Sequence, residues 1–389
     1  MKLFVLLSRF PYPLEKGDKL RAFYQIKELS KYHHIYLCAL SDRQVSKESI
    51  AKLQPYCSRI EIIQLSKIQI YFNLALGLLF SKLPFQVIYF YSKSAKKRIN
   101  QLIKETKADH IYAQLIRTSE YVKDIVGIPK TLDYMDALSR GMERRIEKSP
   151  FYLRPFVQME ALRLKRYEHF IFSYFENLTI ISEQDRDLIV NSNNERIKII
   201  PNGVQHDFFK ASREDKKFDL IFTGNMSYEP NVLSVEYLAN KVIPLILLEL
   251  PNVQLAIVGA CPSGRVKSLA NDTITITGWV EDIRDYYNAA KLFVAPMQIG
   301  TGLQNKLLEA MSMELPCITS DLANNALGAK EGESILIGRT PQEYANLVID
   351  LLLNKQKAAL IAKAGHQYVQ DNFSWETSTK KLEQILETK

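Results

Sequence analysis

Cysteine is scarce in this sequence, since the chain of 389 residues contains only Cys38, Cys57, Cys261 and Cys317. The four lie far apart in apolar sequence, without a CxxC pair or a neighbouring group of histidines. This spacing excludes a disulfide framework and a zinc site built from closely spaced ligands. We expect free, buried thiols in a reducing compartment, and therefore a cytoplasmic protein.

Long hydrophobic runs are also lacking. The most apolar stretch, residues 68–91, is divided by Lys82 and Pro84 into pieces shorter than the roughly 20 residues that a membrane-spanning helix needs. The apolar residues at the start of the chain are too few for a signal peptide. Residues 68–91 are either helix-and-loop core, the interpretation we prefer, or a surface that dips into lipid. In the second case the lipid headgroups would meet Lys93, Lys96, Lys97 and Arg98.

The net charge of +8 is unevenly distributed. Residues 1–200 hold 33 Lys and Arg against 21 Asp and Glu, whereas residues 201–389 hold 18 against 22. A basic first half indicates a polyanionic partner, such as an anionic membrane surface, a phospholipid-like acceptor or a nucleic acid. The basic run 140–166 is most simply a solvated helix face.

Short apolar strands alternate with helical runs along both halves of the chain. In the first half, strands are predicted at 2–7, 33–40, 58–65, 108–113, 130–134 and 177–181, with helical runs that include 137–173. In the second half the pattern repeats, with a helix at 231–249, a strand at 316–319 and two closing helices. Such alternation predicts an α/β protein with two doubly wound, parallel-sheet domains and a ligand cleft between them. Pro201, Asn202 and Gly203 mark the boundary.

The stretch 300–320 reads as loop, helix and strand. Gly302 leaves the backbone uncovered at the helix start, so the first amides and the positive end of the dipole are available to an anion, with Lys306 one turn in. Glu309 lies off the apolar face of this helix. It is either part of a solvated face or a group that binds a ligand.

The order of these motifs resembles GT-B glycosyltransferases, family 4 (group 1) in particular, over nearly the whole chain. The motifs are PYPLEKGDKLR (11–21), IPNGV (200–204), FTGNMSYEPNV (222–232), ITGWVEDIRDYYNAAKLFVAP (276–296), QNKLLEAMSMELPCITS (304–320) and FSW (373–375). The first loop, DYMDALS (133–139) and GLQNKLLEAM (302–311) are most similar to sugar transferases of PEP-CTERM and exopolysaccharide systems. The resemblance implies an N-terminal acceptor-side domain at 1–200, a nucleotide-sugar domain at 201–373, and a last helix at about 374–389 that packs back onto the first.

The resemblance also implies a donor site. Glu309 matches the second Glu of the family's E-x7-E motif, which holds the nucleotide ribose, whereas Thr301 stands where the first Glu is expected. Lys306 and the helix amides would hold the diphosphate in place of an Arg and a Lys that this chain lacks after Gly224. The implied donor-binding residues are Gly203, Gly224, Asn225, Gly278, Trp279, Val280, Thr301, Gly302, Leu303, Gln304, Asn305, Lys306 and Glu309.

On the acceptor side the resemblance implies two loops that follow strand ends. Asp133, with Lys306 and Glu309, is the implied catalytic group, and Gln114 stands where relatives have a histidine. Asp136 either faces the acceptor or caps the helix that begins near residue 137. The implied acceptor-side residues are Lys16, Gly17, Asp18, Lys19, Arg21, Gln114, Asp133 and Asp136.

The activity implied is a cytoplasmic, retaining glycosyltransferase of hexosyltransferase type that builds cell-surface polysaccharide or glycan. Its partners would be a nucleoside diphosphate sugar, a lipid-linked or polysaccharide acceptor and an anionic membrane surface, without a metal, cofactor or nucleic acid. A sugar-nucleotide epimerase and a catalytically degenerate nucleotide-binding scaffold share this architecture and remain the alternatives.

Overall fold

A seven-stranded parallel sheet is the centre of the first unit, which comprises Met1–Pro201 and Trp375–Lys389. The computed structural model describes residues 1–205, 209, 216–299 and 302–387, except the side chains of 147 and 148. Within these residues the strand order is β3-β2-β1-β4-β5-β6-β7, so the winding direction reverses between β1 and β4. The strands are β1 (Lys2–Leu7), β2 (His34–Ser41), β3 (Arg59–Gln64), β4 (His110–Gln114), β5 (Lys130–Asp133), β6 (Asn177–Ile180) and β7 (Ile197–Ile199).

Helices cover this sheet, and several begin at a serine that accepts a hydrogen bond from the first turn. Ser46, Ser92 and Ser182 cap α2, α5 and α9 in this way. The helices are α1 (Gly17–Leu29), α2 (Lys47–Leu53), α3 (Lys67–Phe80), α4 (Phe85–Phe90), α5 (Lys93–Thr106), α6 (Ser119–Val122), α7 (Leu138–Lys148), α8 (Arg154–Ile171) and α9 (Glu183–Leu188).

The second unit, Asn202–Ser374, has a parallel sheet of its own with the order β10-β9-β8-β11-β12-β13 in the described residues. Its strands are almost wholly apolar because helices cover both faces. They are β8 (Phe218–Thr223), β9 (Leu255–Val258), β10 (Ile274–Gly278), β11 (Ala290–Ala295), β12 (Cys317–Thr319) and β13 (Leu336–Ile337). The mixed α/β architecture with two parallel sheets is the predicted fold class.

The helices of the second unit are α10 (Glu229–Tyr237), α11 (Ile243–Leu247), α12 (Gly264–Lys267), α13 (Ile283–Asn288), α14 (Asn305–Ser312), α15 (Asp321–Leu327), α16 (Pro341–Leu353) and α17 (Lys355–Asn372). The last helix, α18 (Trp375–Glu387), belongs to the first unit. There the ring of Trp375 stacks on Tyr24 of α1 with centroids 5.1 Å apart.

Three sequence predictions of secondary structure were wrong, two of them at prolines. The helix predicted at 231–249 is divided by a π-helical segment, Leu238–Val242, before Pro244 in the first turn of α11. The run predicted at 137–173 is divided into α7 and α8 around Pro150. The two-residue strand β13 was missed because so short a run carries no periodicity.

The core interpretation of residues 68–91 holds for α4 and is wrong for α3. Most of α4 is buried, but of the 14 residues of α3 only Ile70 and Gly77 are buried. The large apolar side chains exposed on α3 are Ile68, Tyr71, Phe72, Leu76, Leu78, Leu79 and Phe80. No helix of the described residues is both long and apolar enough to cross a membrane.

A buried ion pair ties α1 to the first sheet. Nε of Arg21 lies 2.6 Å from Oδ2 of Asp133, and both side chains are fully buried. Asp133 Oδ2 also accepts from the Tyr112 hydroxyl at 2.8 Å, and Oδ1 accepts from the Thr179 hydroxyl at 3.0 Å. The Asp133 carboxylate therefore connects α1, β4 and β6 to its own strand, β5.

We predict that Arg21→Met lowers the free energy of unfolding of the first unit by about 3–5 kcal/mol, because it leaves Asp133 buried without its counter-charge. Urea unfolding at pH 7 measures the change. Arg98→Met, which removes the solvent-exposed ion pairs with Glu61 and Glu105, is the matched control and should lower the free energy of unfolding far less, because water and salt screen exposed pairs. Equal losses in the two variants would contradict the assigned role of the buried pair.

Candidate functional site

Three neighbouring strands of the second sheet end at glycine turns that contact one another. The Gly224 amide donates to the carbonyl of Val258 at 3.0 Å, and the Gly259 amide donates to that of Gly278 at 3.1 Å. Gly224, Gly259 and Gly278 have φ angles of +152°, +146° and +74°, where a residue with a Cβ is strained. The carboxyl edge of this sheet therefore presents bare backbone, where open α/β sheets bind their ligands.

Asn231 connects the Gly224 turn to α14. Its Nδ2 donates to the carbonyl of Asn225 at 2.9 Å, and its Oδ1 accepts a hydrogen bond from Nζ of Lys306. A Cβ on Gly224 would lie 2.6 Å from Nδ2 of Asn231. The Asn225 side chain accepts from both the amide and the hydroxyl of Ser227, at 2.9 and 2.7 Å, and so closes the turn.

The start of α14 is arranged as an anion site. Gly302, with φ of +83°, precedes it, and the N-cap Gln304 has extended backbone. Among the described residues no side chain caps this first turn. The Leu307 amide donates to the Gln304 carbonyl at 2.9 Å, so an anion would meet the two amides before it and the positive end of the helix dipole. Nδ2 of Asn202 donates to Oδ1 of Asn305 at 3.2 Å and steadies the first helical residue.

Lys306 is partly buried in an environment that disfavours its charge. Its Nζ lies 4.7 Å from the centroid of the Phe222 ring and 3.9 Å from Sδ of Met297. Burial lowers the pKa of Lys306 to about 7, although the nearby Glu309 carboxylate opposes this shift. A bound anion would restore the charge of this lysine.

Glu309 is held by a chain of hydrogen bonds from the sheet. Tyr287 donates to Oε2 of Glu309 at 2.9 Å, and the hydroxyls of Tyr287 and Thr223 lie 2.7 Å apart. Burial raises the pKa of Glu309 to about 7, against the opposing effects of the Tyr287 hydroxyl and Lys306. In the part of the chain that the structure describes, Oε1 receives no side-chain hydrogen bond and could accept one from another donor, such as a ligand hydroxyl.

The other predicted donor residues are distributed around this edge. Trp279 is 73% exposed beside the Gly278 turn, while Val280 and Leu303 pack partly against the core. Gly203 is buried next to Val204, whose amide donates to the carbonyl of Phe373 at 2.8 Å. Thr301 lies outside the described residues.

Two predicted acceptor-side residues do not reach a surface. Arg21 and Asp133 are both 0% exposed and bind each other, so the expectation that they contact an acceptor, and that Asp133 acts directly in catalysis, was wrong. The sequence placed Asp133 correctly at a strand end but could not reveal its partner 112 residues earlier. Gln114, opposite Asp133 in the β4–β5 register, is also buried.

The remaining acceptor-side residues lie at the start of α1 and after β5. Lys16 precedes α1, Gly17 opens it, Lys19 pairs with Glu15 at 3.0 Å, and Asp18 pairs with Arg9 at 2.8 Å.

Asp136 is half-buried near the end of β5. The structure excludes the capping role considered for it, because the N-cap of α7 is Ala137 and the Glu168 carboxylate accepts from the Ser139 amide in the first turn at 3.0 Å. Burial, followed by the charges of Asp185 and Asp133, raises the pKa of Asp136 to about 7. Of the two predicted carboxylates, it is the one that retains some access to solvent.

Comparison with known proteins agrees with this geometry. Residues 217–354 match the family model described as "Glycosyl transferases group 1". The structure of Anabaena Alr3699/HepE in complex with UDP and glucose superposes with a TM-score of 0.69 at 17% identity, covering 99% of each chain. Residues 217–354 are therefore similar to group 1 glycosyltransferases, and the superposition shows that the chain has the GT-B fold of the solved structure.

Two sequence relatives extend the comparison. An uncharacterized 44.6 kDa protein in the cps region of Klebsiella pneumoniae is 23% identical, and the match covers 96% of each chain. A GDP-mannose-dependent α-(1-6)-phosphatidylinositol monomannoside mannosyltransferase of Mycobacterium tuberculosis is 24% identical over 49% of this chain and 55% of its own.

Sequence reasoning missed four residues of the candidate site in the second unit: Asn231, Gly259, Tyr287 and Asn202. A signal existed for Gly259, because it directly follows the apolar strand LAIV, as Gly224 follows its own strand. The other three act through hydrogen bonds to residues far away in sequence, which no local pattern reveals.

In the described residues, one group of side chains could hold a metal ion, formed by His33, Glu383 and Glu387. It belongs to the first unit and shares no residue with the glycine turns and α14 of the second unit.

We predict that Gly259→Ala destabilises the second unit by more than about 2 kcal/mol, because the new Cβ would lie 1.8 Å from the Gly224 carbonyl oxygen and φ is positive. Gly264→Ala, whose Cβ meets nothing within 4 Å, is the matched control and should stay within about 0.5 kcal/mol of the wild type. Urea unfolding measures both. A Gly259→Ala variant as stable as the control would show that the two turns are not packed as described.

Proposed function

We propose that the protein transfers a sugar from a nucleoside diphosphate sugar to a lipid-linked or polysaccharide acceptor, with retention of configuration. The observation that carries this proposal is that Lys306 and Glu309 lie three residues apart on α14, next to the start of the helix and to the glycine turns. This arrangement offers a positive site for a diphosphate and, about one helical turn away, a carboxylate for hydroxyl groups.

The chemistry follows from where charge develops. When the bond between the anomeric carbon and the diphosphate breaks, negative charge accumulates on the departing phosphate oxygens. Protonated Lys306 and the first amides of α14 would stabilise that charge in a partly dry site, where fixed donors are worth more than in water. Oε1 of Glu309 would accept hydroxyls of the ribose, as the resemblance to family 4 implies. No metal is needed for this charge relief in the mechanism that we propose.

The acceptor side of the proposal has to be revised. Since Asp133 is buried in an ion pair, the carboxylate that we assign to the acceptor side is Asp136, with its pKa raised to about 7. A group that titrates near neutral pH is suited to receive a proton from an attacking hydroxyl. Retention in the family requires no second carboxylate as nucleophile, and we propose none here.

The relatives favour a role in cell-surface polysaccharide or glycan assembly. The Klebsiella relative is encoded in a cps region, and the mycobacterial relative is named as a mannosyltransferase that acts on a phosphatidylinositol mannoside. We propose the same setting for this chain, at the cytoplasmic face of a membrane. The similar proteins include a UDP complex and a GDP-mannose enzyme. Calorimetry with both nucleotide sugars therefore has to identify the nucleotide base of the donor.

Peripheral contact with an anionic membrane is part of this proposal, and α3 supports it. Residues 62–104 contain no Asp or Glu and seven Lys or Arg. The exposed apolar face of α3 adjoins α8, because Arg163 donates to the carbonyls of Gly77 and Leu78 at 3.1 and 3.4 Å. Phe151 and Tyr152, just before α8, are also exposed. An apolar patch flanked by cations is suited to a surface of anionic lipids.

For the donor site, we predict a bell-shaped pH dependence of nucleotide-sugar affinity with a maximum near pH 7. Affinity falls at higher pH as Lys306 loses its proton, and at lower pH as Glu309 becomes protonated. Lys306→Met should lower affinity by about 1–3 kcal/mol at pH 7 and abolish the alkaline limb, whereas Glu309→Gln should abolish the acid limb. Calorimetry with UDP-glucose and GDP-mannose between about pH 5.5 and 8.5 measures these profiles.

Lys291→Met is the matched control, because that lysine pairs with Asp219 outside the site and should leave the profile unchanged. An affinity independent of pH in all variants would remove Lys306 and Glu309 from the donor site. Binding of a nucleotide sugar without transfer to any acceptor would instead favour the scaffold alternative.

For the membrane surface, we predict that the double variant Leu79→Asp/Phe80→Asp loses at least about tenfold in binding to vesicles that contain phosphatidylglycerol. These side chains are 72% and 82% exposed, so the substitutions leave the core intact. Leu353→Asp/Leu360→Asp, at comparably exposed positions of the other unit, is the control and should bind as the wild type does. Co-sedimentation measures binding, and equal binding of the two variants would exclude α3 as the contact.

A further inference from the structure

A cavity of about 980 Å³ opens at the carboxyl edge of the first unit's sheet. Its walls come from the loop after β1, the loop after β2, the segment after β4, and helices α3, α4 and α8. This volume is at the upper end of the range for small-molecule sites. The cavity is thus large enough for a ligand with two chemically different parts.

One wall of the cavity is cationic. Arg9 and Arg117 both lie over the ring of Phe90, with Cζ 5.6 and 5.5 Å from its centroid. Among the described residues Arg117 forms no ion pair, and its guanidinium donates to the neutral Oε1 of Gln86 at 2.5 and 3.2 Å. Burial, and then the charge of Arg9, lowers the pKa of Arg117 to about 10. An anion bound here would relieve the repulsion between these two guanidinium groups.

Further cations line the same side, and the nearby carboxylates are largely engaged. Lys16, Lys19 and Arg43 line the cavity. Of the acidic groups that line it, Glu15 pairs with Lys19 at 3.0 Å and Asp42 accepts from the Tyr89 hydroxyl at 2.6 Å. Five cations therefore face Glu15, Asp42 and Asp18, which pairs with Arg9 at 2.8 Å, and the wall keeps a net positive charge.

The opposite wall is apolar and continues onto the outer surface. Leu74, Ala75 and Leu78 of α3 line the cavity, together with Phe85 and Phe156, whose rings stack with centroids 4.7 Å apart. The same helix α3 carries the exposed apolar side chains described above. A hydrocarbon chain could therefore leave the cavity along α3 without crossing a polar surface.

We propose that this cavity binds the phosphorylated end of a lipid-linked acceptor, with a polyprenyl-type phosphate or diphosphate on the cationic wall and its hydrocarbon chain against α3. That the bound lipid is an acceptor rests on the proposed function. That the cavity binds an anionic lipid does not. A polysaccharide without lipid would leave Leu74, Leu78 and Phe156 against water, and an uncharged lipid would leave Arg117 without a counter-ion. The two walls together select an anionic amphiphile.

The test is binding of farnesyl diphosphate, a soluble prenyl diphosphate, to the purified full-length protein by calorimetry. We expect it to bind at least about tenfold more tightly than either inorganic diphosphate or farnesol, because each of these satisfies only one wall. Arg117→Gln should weaken farnesyl diphosphate at least about tenfold. Leu78→Asp should weaken farnesyl diphosphate by a similar factor while leaving inorganic diphosphate no weaker than about twofold.

Two matched variants control for fold and charge. Arg196 lies over the Phe172 ring at 5.2 Å but does not line this cavity, so Arg196→Gln should bind as the wild type does. Leu162 is exposed on α8 outside the lining, and Leu162→Asp should likewise have no effect. If Arg117→Gln proves unstable, Lys16→Gln, at an exposed cavity position, replaces it and should still weaken farnesyl diphosphate about threefold or more.

Three results would overturn the inference. Wild-type affinity in both Arg117→Gln and Leu78→Asp would remove the ligand from this cavity. Equal binding of inorganic and farnesyl diphosphate would indicate a polar ligand. Equal binding of dioctanoyl phosphatidylglycerol would identify a general phospholipid headgroup site rather than an acceptor site.

Nucleotide-sugar binding, measured on the same samples, separates this inference from the proposed function. Loss of nucleotide binding alone, with farnesyl diphosphate still bound, would contradict the glycosyltransferase proposal and leave the lipid site in place. Nucleotide binding and sugar transfer without any binding of prenyl diphosphate would contradict the lipid site and leave the glycosyltransferase proposal in place.

Discussion

The second unit depends on the partial burial of a lysine and a glutamate three residues apart on one short helix. Burial destabilises the charged forms of Lys306 and Glu309. Their mutual attraction and a few hydrogen bonds offset part of this desolvation cost. The fold tolerates the arrangement because Asn231 and Tyr287 fix the two side chains from neighbouring elements. A ligand that places negative charge beside the lysine and hydroxyl groups beside the glutamate would therefore lower the desolvation cost of both side chains.

The backbone around Lys306 and Glu309 leaves room for such a ligand. Gly224, Gly259 and Gly278 lie in three turns that hydrogen bonds connect, and at these positions the edge of the sheet presents backbone without side chains. Because the turns are joined to α14 through Asn231, the anion site and the floor beside it form one unit. Preorganised donors of this kind need not reorient when charge develops on a leaving group.

Local patterns predicted the parallel α/β architecture and the helix at 305–312, because apolar periodicity and glycine after a strand are properties of neighbouring residues. They failed where the outcome depends on distant partners. Asp133 looked like a site residue since it follows a strand, yet Arg21 turns it into a buried structural group. For α3, apolar composition suggested core, and only packing reveals that much of this helix has no protein partner. Asn231 and Tyr287 have no sequence signal, because their importance lies in bonds to Lys306 and Glu309.

A buried charge is therefore informative only together with what satisfies it. The Asp133 carboxylate accepts hydrogen bonds from Arg21, Tyr112 and Thr179 and has nothing left to offer a ligand. Arg117 in the first unit and Lys306 in the second differ from it, since each contacts an aromatic ring and a neutral amide oxygen instead of a carboxylate. An enclosed cation whose direct contacts are neutral carries a desolvation cost that an anion can offset. By that criterion we infer that each unit has its own anion site, one suited to a diphosphate beside hydroxyl groups and one to a phosphate beside a hydrocarbon chain.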